Sequence, residues 1–431
     1  MSMMMQPEPQ RQQELRRQRE KEQQARQEEQ RQEEEEAAEK VRAAPVAAPT
    51  PATGGGGHGG TGVRTGGGRS RGEGRSMSAV MDELLGGNVG APLSSAGPAS
   101  ARVVEAVPRE AGQSFLAGVF WWLFTRSEAY RNAARRLGAS RGARPVVVCH
   151  ADGTRFNLLL LDPHRRTDWA AVQLEGPEMS DSIGSPTVPE ERLDNLLRRA
   201  DLNDALEPTT LFDSVRELVA SSQFGVAVVS APQEIPTCAV SPAVPILSVD
   251  NTPLATLGAF LSEVDPTAAD KCVATTVDHA LRNGWDGFTV DCARLDVISR
   301  HHASDSCLLR VKKSLLDGRQ QNGLKGPLRI TPNLYRFATF DGASSGPKRT
   351  RISSFDPAIV DPDPDELARV YTEADTARGD SGAALIDGDD FIVGFARRIS
   401  GYDSPIQYSS WTSAVMVYMA HNLFDRVALG A

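Results

Sequence analysis

Residues 376–385, TARGDSGAAL, place Gly379, Asp380, Ser381 and Gly382 in a compact loop ahead of an apolar run. A serine hydroxyl is a weak nucleophile until a neighbouring base takes its proton. Flanking glycines let the backbone turn tightly and present its amides, so the N–H groups of Gly379 and Ser381 could stabilise a tetrahedral oxyanion. Taken alone, the same four residues also describe an ordinary β-turn. The chemistry therefore depends on finding a base and a group to orient it.

His279, one of seven histidines, follows the apolar run 272–277 in KCVATTVDHAL, which puts it just past a buried strand. Read singly, it is a surface-loop histidine. Asp305 lies in ASDSCLLRV, where a polar loop enters the apolar strand 307–311 and a carboxylate can be buried beside an imidazole. Asp286, Asp291 and Asp296 compete for that role, and an isolated Asp ahead of a strand is ordinary turn chemistry. The order and spacing of the three segments select Asp305.

Together, VDHAL, SDSCLLRV and ARGDSGAAL resemble the three motif regions of chymotrypsin-like (trypsin-like) serine proteases in the order His, Asp, Ser. The resemblance covers roughly residues 240 to 431, and the spacing looks like that of the compact bacterial and HtrA-like members. It implies two packed β-barrels, with His279 and Asp305 from the first and Ser381 from the second. It also implies a serine endopeptidase that works through an acyl-enzyme without a cofactor or metal. His279 would take the Ser381 proton and return it to the leaving amine, while Asp305 fixes the imidazole tautomer. The oxyanion hole would be Gly379 and Ser381.

By the same resemblance Asp375 would lie near the floor of the primary specificity pocket, implying Lys or Arg before the cut. The strand 391–396, with Gly394, Phe395 and Ala396, would be the substrate-binding strand. The chain departs from the family at Val277 and Asp278, where relatives usually have a small residue and then Ala, and at Ala383, where many keep glycine. An acid ahead of the nucleophile, here Asp380, is buried and paired with a cation in many relatives. A newly cut amino terminus in that role would mean a zymogen; Arg378 or another internal cation would mean an enzyme needing no processing.

Two other readings compete. His301, His302, Asp305 and Cys307, completed by Cys272 or Cys292, could hold a metal, although their spacing fits no standard zinc pattern. Alternatively the region is a catalytically weak, protease-like binding or adaptor module, since fold and activity can part company.

Elements around these residues set the architecture. From 235 to 431 the chain shows many short apolar runs (256–261, 271–276, 287–292, 306–311, 334–340 and 391–396) separated by Gly, Pro and Asp, which predicts an all-β double barrel. Trp411, Val415, Tyr418, Met419 and Leu423 recur at helical spacing and predict a closing helix. Residues 101–232 read as a small α+β domain that could dock a protein partner. Its predicted parts are an amphipathic helix at 126–137, a hairpin turning at Asp152-Gly153, helices at 190–200 and 210–222, and a strand at 224–230. The apolar run 115–124, FLAGVFWWLF, is about half the roughly 20 residues needed to span a bilayer and reads as a buried helix.

Residues 1–100 read as a disordered arm, with a charged Arg/Gln/Glu run at 11–42 and an Arg- and Gly-rich linker at 54–75. Net charge −9 over 431 residues argues against nonspecific nucleic-acid binding by the whole chain, and the linker lacks aromatic residues for base stacking. Five cysteines without a CxxC pattern suggest reduced thiols, and residues 1–30 contain no apolar signal core. The expectation is a cytoplasmic protein acting on protein or peptide substrates, without a membrane role.

Overall fold

The computed structural model describes the chain from residue 75 to residue 423, together with short strands at 64–65 and 429–430. The longest internal segments outside the described residues are 91–97, 184–189, 237–244, 262–270, 282–287 and 313–327. The charged run 11–42, nearly all of segment 54–75, Asp286, Asp291 and the side chains of Cys238, Cys272 and Cys292 lie outside them.

The first helix, α1 (Met77–Leu85), begins well before residue 101, where the sequence reading starts the ordered part. Ser76 caps it by accepting from the Ala79 amide, and Gly86 ends it at φ 70°, a left-handed conformation that suits glycine. Met77, Val80, Met81, Leu84 and Leu85 form one apolar face, buried against an upstream sheet. That sheet contains β1 (Arg144–Cys149), β2 (Phe156–Asp162), β3 (Trp169–Glu175) and β4 (Gln223–Ser230) in the order β3-β4-β2-β1. β1 and β2 form the hairpin expected from the Asp-Gly turn, and β2 runs parallel to β4.

Around this sheet lie α2 (Pro98–Ala106), α3 (Arg109–Phe124), α4 (Glu128–Arg136), α5 (Glu190–Arg199) and α6 (Pro208–Ala220). The apolar run of α3 is buried throughout, from Phe115 to Phe124, and its rings pack on Phe224 of β4. Among the described residues no helix is long and apolar enough to cross a membrane. Gly118 brings α3 close to the downstream half: a Cβ there would lie 2.8 Å from Val360 Cγ2 and 3.0 Å from Thr331 Cγ2.

Downstream of the short strand β5 (Glu234–Pro236), the first barrel uses β6 (Pro245–Leu247), β7 (Pro253–Thr256), β8 (Phe260–Leu261), β9 (Lys271–Thr276), β10 (Phe288–Val290), β11 (Ala293–His301) and β12 (Ser306–Lys312). They pair in the order β7-β6-β10-β11-β12-β9-β8. The end strands β7 and β8 are joined through only Leu257, Gly258 and Ala259, so the sheet rolls back on itself. Its interior holds Ile246, Leu257, Val277, Leu281, Leu295 and Leu309.

The second barrel is built from β13 (Phe337–Gly342), β14 (Gly346–Phe355), β15 (Arg369–Thr372), β16 (Ala384–Asp387), β17 (Ile392–Ser400) and β18 (Ser409–Ser413). The ladder runs β14-β13-β16-β17-β18-β15 and returns to β14, which closes the ring. Closure leaves no free edge within the ring. β14 also pairs with β1, Ser354 opposite Val148 and Phe355 opposite Val147, so the upstream sheet continues into this barrel.

The expected closing helix is α7 (Ala414–Ala420), capped by Ser413 accepting from the Met416 amide. Trp411 is a correction to the helical stripe. It belongs to β18, paired opposite Val370 and Ala396, and its indole N–H donates to Thr372 Oγ1 at 2.9 Å. Helical spacing could not report those cross-strand partners.

The barrels meet at Gly258, where a Cβ would lie 2.3 Å from the Gly382 carbonyl and 2.6 Å from Thr275 Oγ1. Gly258→Ala is expected to destabilise the protein by about 1–3 kcal/mol through overpacking. Exposed Gly388, whose nearest atom would be 3.9 Å away, should accept Ala within about 0.5 kcal/mol. Denaturant midpoints of the two variants test the contrast.

Candidate active site

β9 ends at Thr276, and the chain turns through buried Val277 and Asp278 into a short 3-10 turn, His279–Leu281. Asp305 closes the connection from β11 to β12 in the left-handed region (φ 50°), a conformation that Asp tolerates better than most residues. Antiparallel pairing of β9 with β12, Thr276 opposite Cys307, then sets the two turns side by side. The Asp278 amide donates to the Asp305 carbonyl at 3.2 Å.

Across this gap Asp305 Oδ1 accepts the His279 backbone amide at 2.9 Å, while Oδ2 lies 2.8 Å from His279 Nδ1. A proton on Nδ1, held by the carboxylate, leaves Nε2 as an acceptor. Ser381 Oγ lies 3.2 Å from that Nε2 and 3.3 Å from the Arg397 carbonyl. Ser381 and Asp305 are buried, and His279 is about 10% exposed at its side chain.

The serine loop is held from several sides. Gly379 (φ 113°) and Gly382 (φ 98°) take conformations that L side chains rarely adopt. Thr256 of β7 donates its hydroxyl to the Gly379 carbonyl at 2.6 Å and its amide to the Ser381 carbonyl at 2.7 Å. The Gly382 amide donates to Ala396 at 2.7 Å.

Asp380 is fully buried, and its carboxylate accepts the amides of Ala377, Ser344 and Ser345 at 2.7, 2.9 and 3.1 Å. Among the described residues, backbone dipoles rather than Arg378 or a chain terminus hold this acid. Gly342 makes room for it, since a Cβ there would lie 2.2 Å from Asp380 Oδ1.

Two of the three departing residues, Asp278 and Ala383, have local explanations. Asp278 turns its carboxylate to Arg300 Nε at 2.7 Å and His302 Nδ1 at 2.5 Å. Ala383 needs no positive φ, because Gly382 takes that conformation; its amide donates to Asp380 and its carbonyl accepts from Ala396, both at 2.8 Å.

Gly394, Phe395 and Ala396 lie in β17 under the serine loop, paired with β16 on one side and β18 on the other. The next residue along the strand, Arg397, reaches the Asp305 carboxylate. Asp375 is partly buried, and after it Thr376 is anchored to Ser409 through its amide at 3.2 Å and its hydroxyl at 2.8 Å.

The rival metal set is engaged elsewhere. His301 Nδ1 lies 2.9 Å from Ser304 Oγ, His302 pairs with Asp278, Asp305 holds His279 and Cys307 is buried as a free thiol. Among the described residues no group of three or more His, Cys, Asp or Glu converges as a metal site.

Arg397 and Glu234 are absent from the sequence reading. Arg397 is 8% exposed and donates Nε to Asp305 Oδ2 at 2.9 Å and Nη1 to Glu234 Oε2 at 3.2 Å. Glu234 Oε1 accepts Arg369 at 2.9 Å, Tyr408 at 3.1 Å and Arg144 at 3.3 Å. A usable signal existed: Arg397 interrupts the apolar strand IVGFARRIS, and a cation inside a buried strand demands a counter-charge.

Burial alone would raise the Asp305 pKa, but the His279 hydrogen bonds and charge together with Arg397 overcome it and hold the group at about 2. Burial opposes ionisation of Glu234 as well; Arg369, Arg144 and Arg397 outweigh it and bring the carboxyl from 4.5 to about 2. Burial lowers Arg397 to about 10, with Arg369 adding repulsion and Asp305 and Glu234 opposing.

A depressed carboxylate contributes stability above its unfolded value and loses it as pH falls through the folded value. The thermal-stability gap between the protein and Glu234→Gln is therefore expected to be full above about pH 4.5 and to shrink as pH falls towards about 2. Melting temperatures across that window check the sign.

No protein-family model matches the chain, and no curated protein matches it. Solved structures similar to it include the active form of the Mycobacterium tuberculosis protease Rv3671c, 17% identical over 44% of this chain and 82% of that one, with a TM-score of 0.30. Thermobifida fusca protease A is 13% identical over 44% and 99%, and Cellulomonas bogoriensis chymotrypsin 13% over 42% and 95%, each with a TM-score of 0.29. Strand order carries the conclusion independently: with a closed six-stranded ring, a second rolled sheet and the His-Asp-Ser cluster between them, the carboxy-terminal half has the chymotrypsin-like fold.

Proposed function

We propose that the chain is a serine endopeptidase. The observation carrying this reading is the hydrogen-bonded series from Asp305 through His279 to Ser381, with contacts of 2.8 and 3.2 Å. His279 Nε2 takes the Ser381 proton as Oγ attacks the scissile carbonyl, and an acyl-enzyme forms as the protonated imidazole gives that proton to the departing amine. Water, activated by the same imidazole, then adds to the acyl carbon and releases the acid. Asp305 keeps the imidazole in the required tautomer and balances its charge.

The Gly379 and Ser381 amides are the proposed oxyanion donors, supported by a loop whose carbonyls are drawn to Thr256 and whose acid is fixed by three amides. Asp375 is proposed to select Lys or Arg before the cut. Proteins or peptides are the substrate class, and no step requires a metal or cofactor.

A fluorophosphonate should label Ser381 covalently in the folded full-length chain and fail on Ser381→Ala. Absence of labelling on the unmutated protein would assign the fold to a binding module instead. With a peptide substrate, Asp305→Asn is expected to lower kcat by about 10⁴-fold through the wrong imidazole tautomer. A peptide library read by mass spectrometry tests the pocket: Asp375→Asn should erase a preference for basic residues, and an unchanged profile would remove Asp375 from that role.

A further inference from the structure

The charged groups behind the relay form a continuous buried path. Asp305 Oδ2 is shared between the imidazole and Arg397 Nε, and Arg397 passes its other contact to Glu234. Glu234 does not belong to either barrel. It sits on β5, which pairs with the outer end of β17, Glu234 opposite Ser400, directly after the upstream unit. Arg144, which donates to Glu234, belongs to β1 of the upstream sheet.

Each charge in this path alters the next. A cation on the triad carboxylate opposes protonation of the imidazole, and an anion on that cation restores it. Arg397 also joins the two halves of the relay, because its carbonyl lies 3.3 Å from Ser381 Oγ while its guanidinium holds Asp305. The other charged neighbours on packed elements are Arg369 and Arg398, along with Asp356, whose Oδ1 lies 3.8 Å from Arg144 Nε. Tyr408 and Tyr371 complete the surroundings by donating to Glu234 and Asp356.

We propose that Glu234 is a positioning residue which, acting through Arg397, orients Asp305 and offsets the guanidinium charge felt by His279, so that the upstream segment completes the active site. This rests on the endopeptidase reading above. Without β5 the Arg397 guanidinium would keep its contact with Asp305 but lose the Glu234 carboxylate that offsets its charge.

The test measures the rate of fluorophosphonate labelling of Ser381 against pH in the full-length protein, with far-UV circular dichroism and melting temperature confirming that each variant is folded. Glu234→Gln should slow labelling about 10- to 100-fold and move the midpoint of the acid limb down by about 0.5–1 pH unit, because a guanidinium no longer offset by Glu234 disfavours imidazolium. Arg397→Met removes that cation and should move the midpoint up. Glu234→Asp should recover much of the unmutated midpoint, which a purely structural role would not predict. If Glu234→Gln does not fold, Glu234→Asp and Arg397→Lys supply the comparison, Glu234→Asp with a midpoint slightly below the unmutated value and Arg397→Lys with one between the unmutated value and that of Arg397→Met. Folded variants that label with an unchanged rate and midpoint overturn the positioning role and leave the endopeptidase intact. An unmutated chain that does not label overturns the endopeptidase reading itself.

Discussion

The carboxylate of Asp305 is a buried anion, and the arrangement around it follows from the cost of keeping an ion away from water. Its oxygens are met by the His279 amide, the His279 ring and the Arg397 guanidinium. Meeting one buried anion with a buried cation transfers the requirement rather than ending it. Arg397 needs Glu234, and Glu234 in turn gathers Arg369, Arg144 and Tyr408. The electrostatics of a three-residue site thus extend through the second barrel into the upstream sheet.

That sheet is placed accordingly. β1 pairs with β14, α3 packs against the second barrel at Gly118, and the largest hydrophobic cluster runs from Val103 through Phe355 to Trp411. Truncating one partner of a buried charge network leaves the others unpaired, which costs far more than loss of an exposed pair. Arg144 and Glu234 thereby join the upstream sheet to the buried charges around Asp305.

The serine loop shows the same economy with neutral groups. Thr256 reaches across from the first barrel to hold the Gly379 and Ser381 backbone, and Asp380 spends its charge on three amides. Gly258 and Gly382 let the two barrels approach until backbone meets backbone. A loop fixed this way keeps its backbone dipoles in one arrangement.

Local chemistry was legible in the sequence wherever it was written in adjacent residues. The glycines around Ser381 mark a loop requiring positive φ, Asp-Gly marks the β1–β2 turn, and apolar runs mark β9, β10 and β12 of the first barrel, while the run 256–261 is split between the end of β7 and β8. His279 and Asp305 each stand beside an apolar strand, and the order and spacing of the three motif segments singled them out. β14 and β18 were not legible, since polar sequences such as GPKRTRISSF and SSWTS become strands only through the neighbours they pair with. Trp411 shows the limit plainly: its spacing suits a helix, while its partners in β15 and β17 make it part of a sheet. By itself, then, the sequence determined the backbone preferences and the inventory of reactive groups. Only tertiary structure decided that Arg397 and Glu234 stand behind Asp305, because pairing of buried charges depends on which distant strands share a ladder.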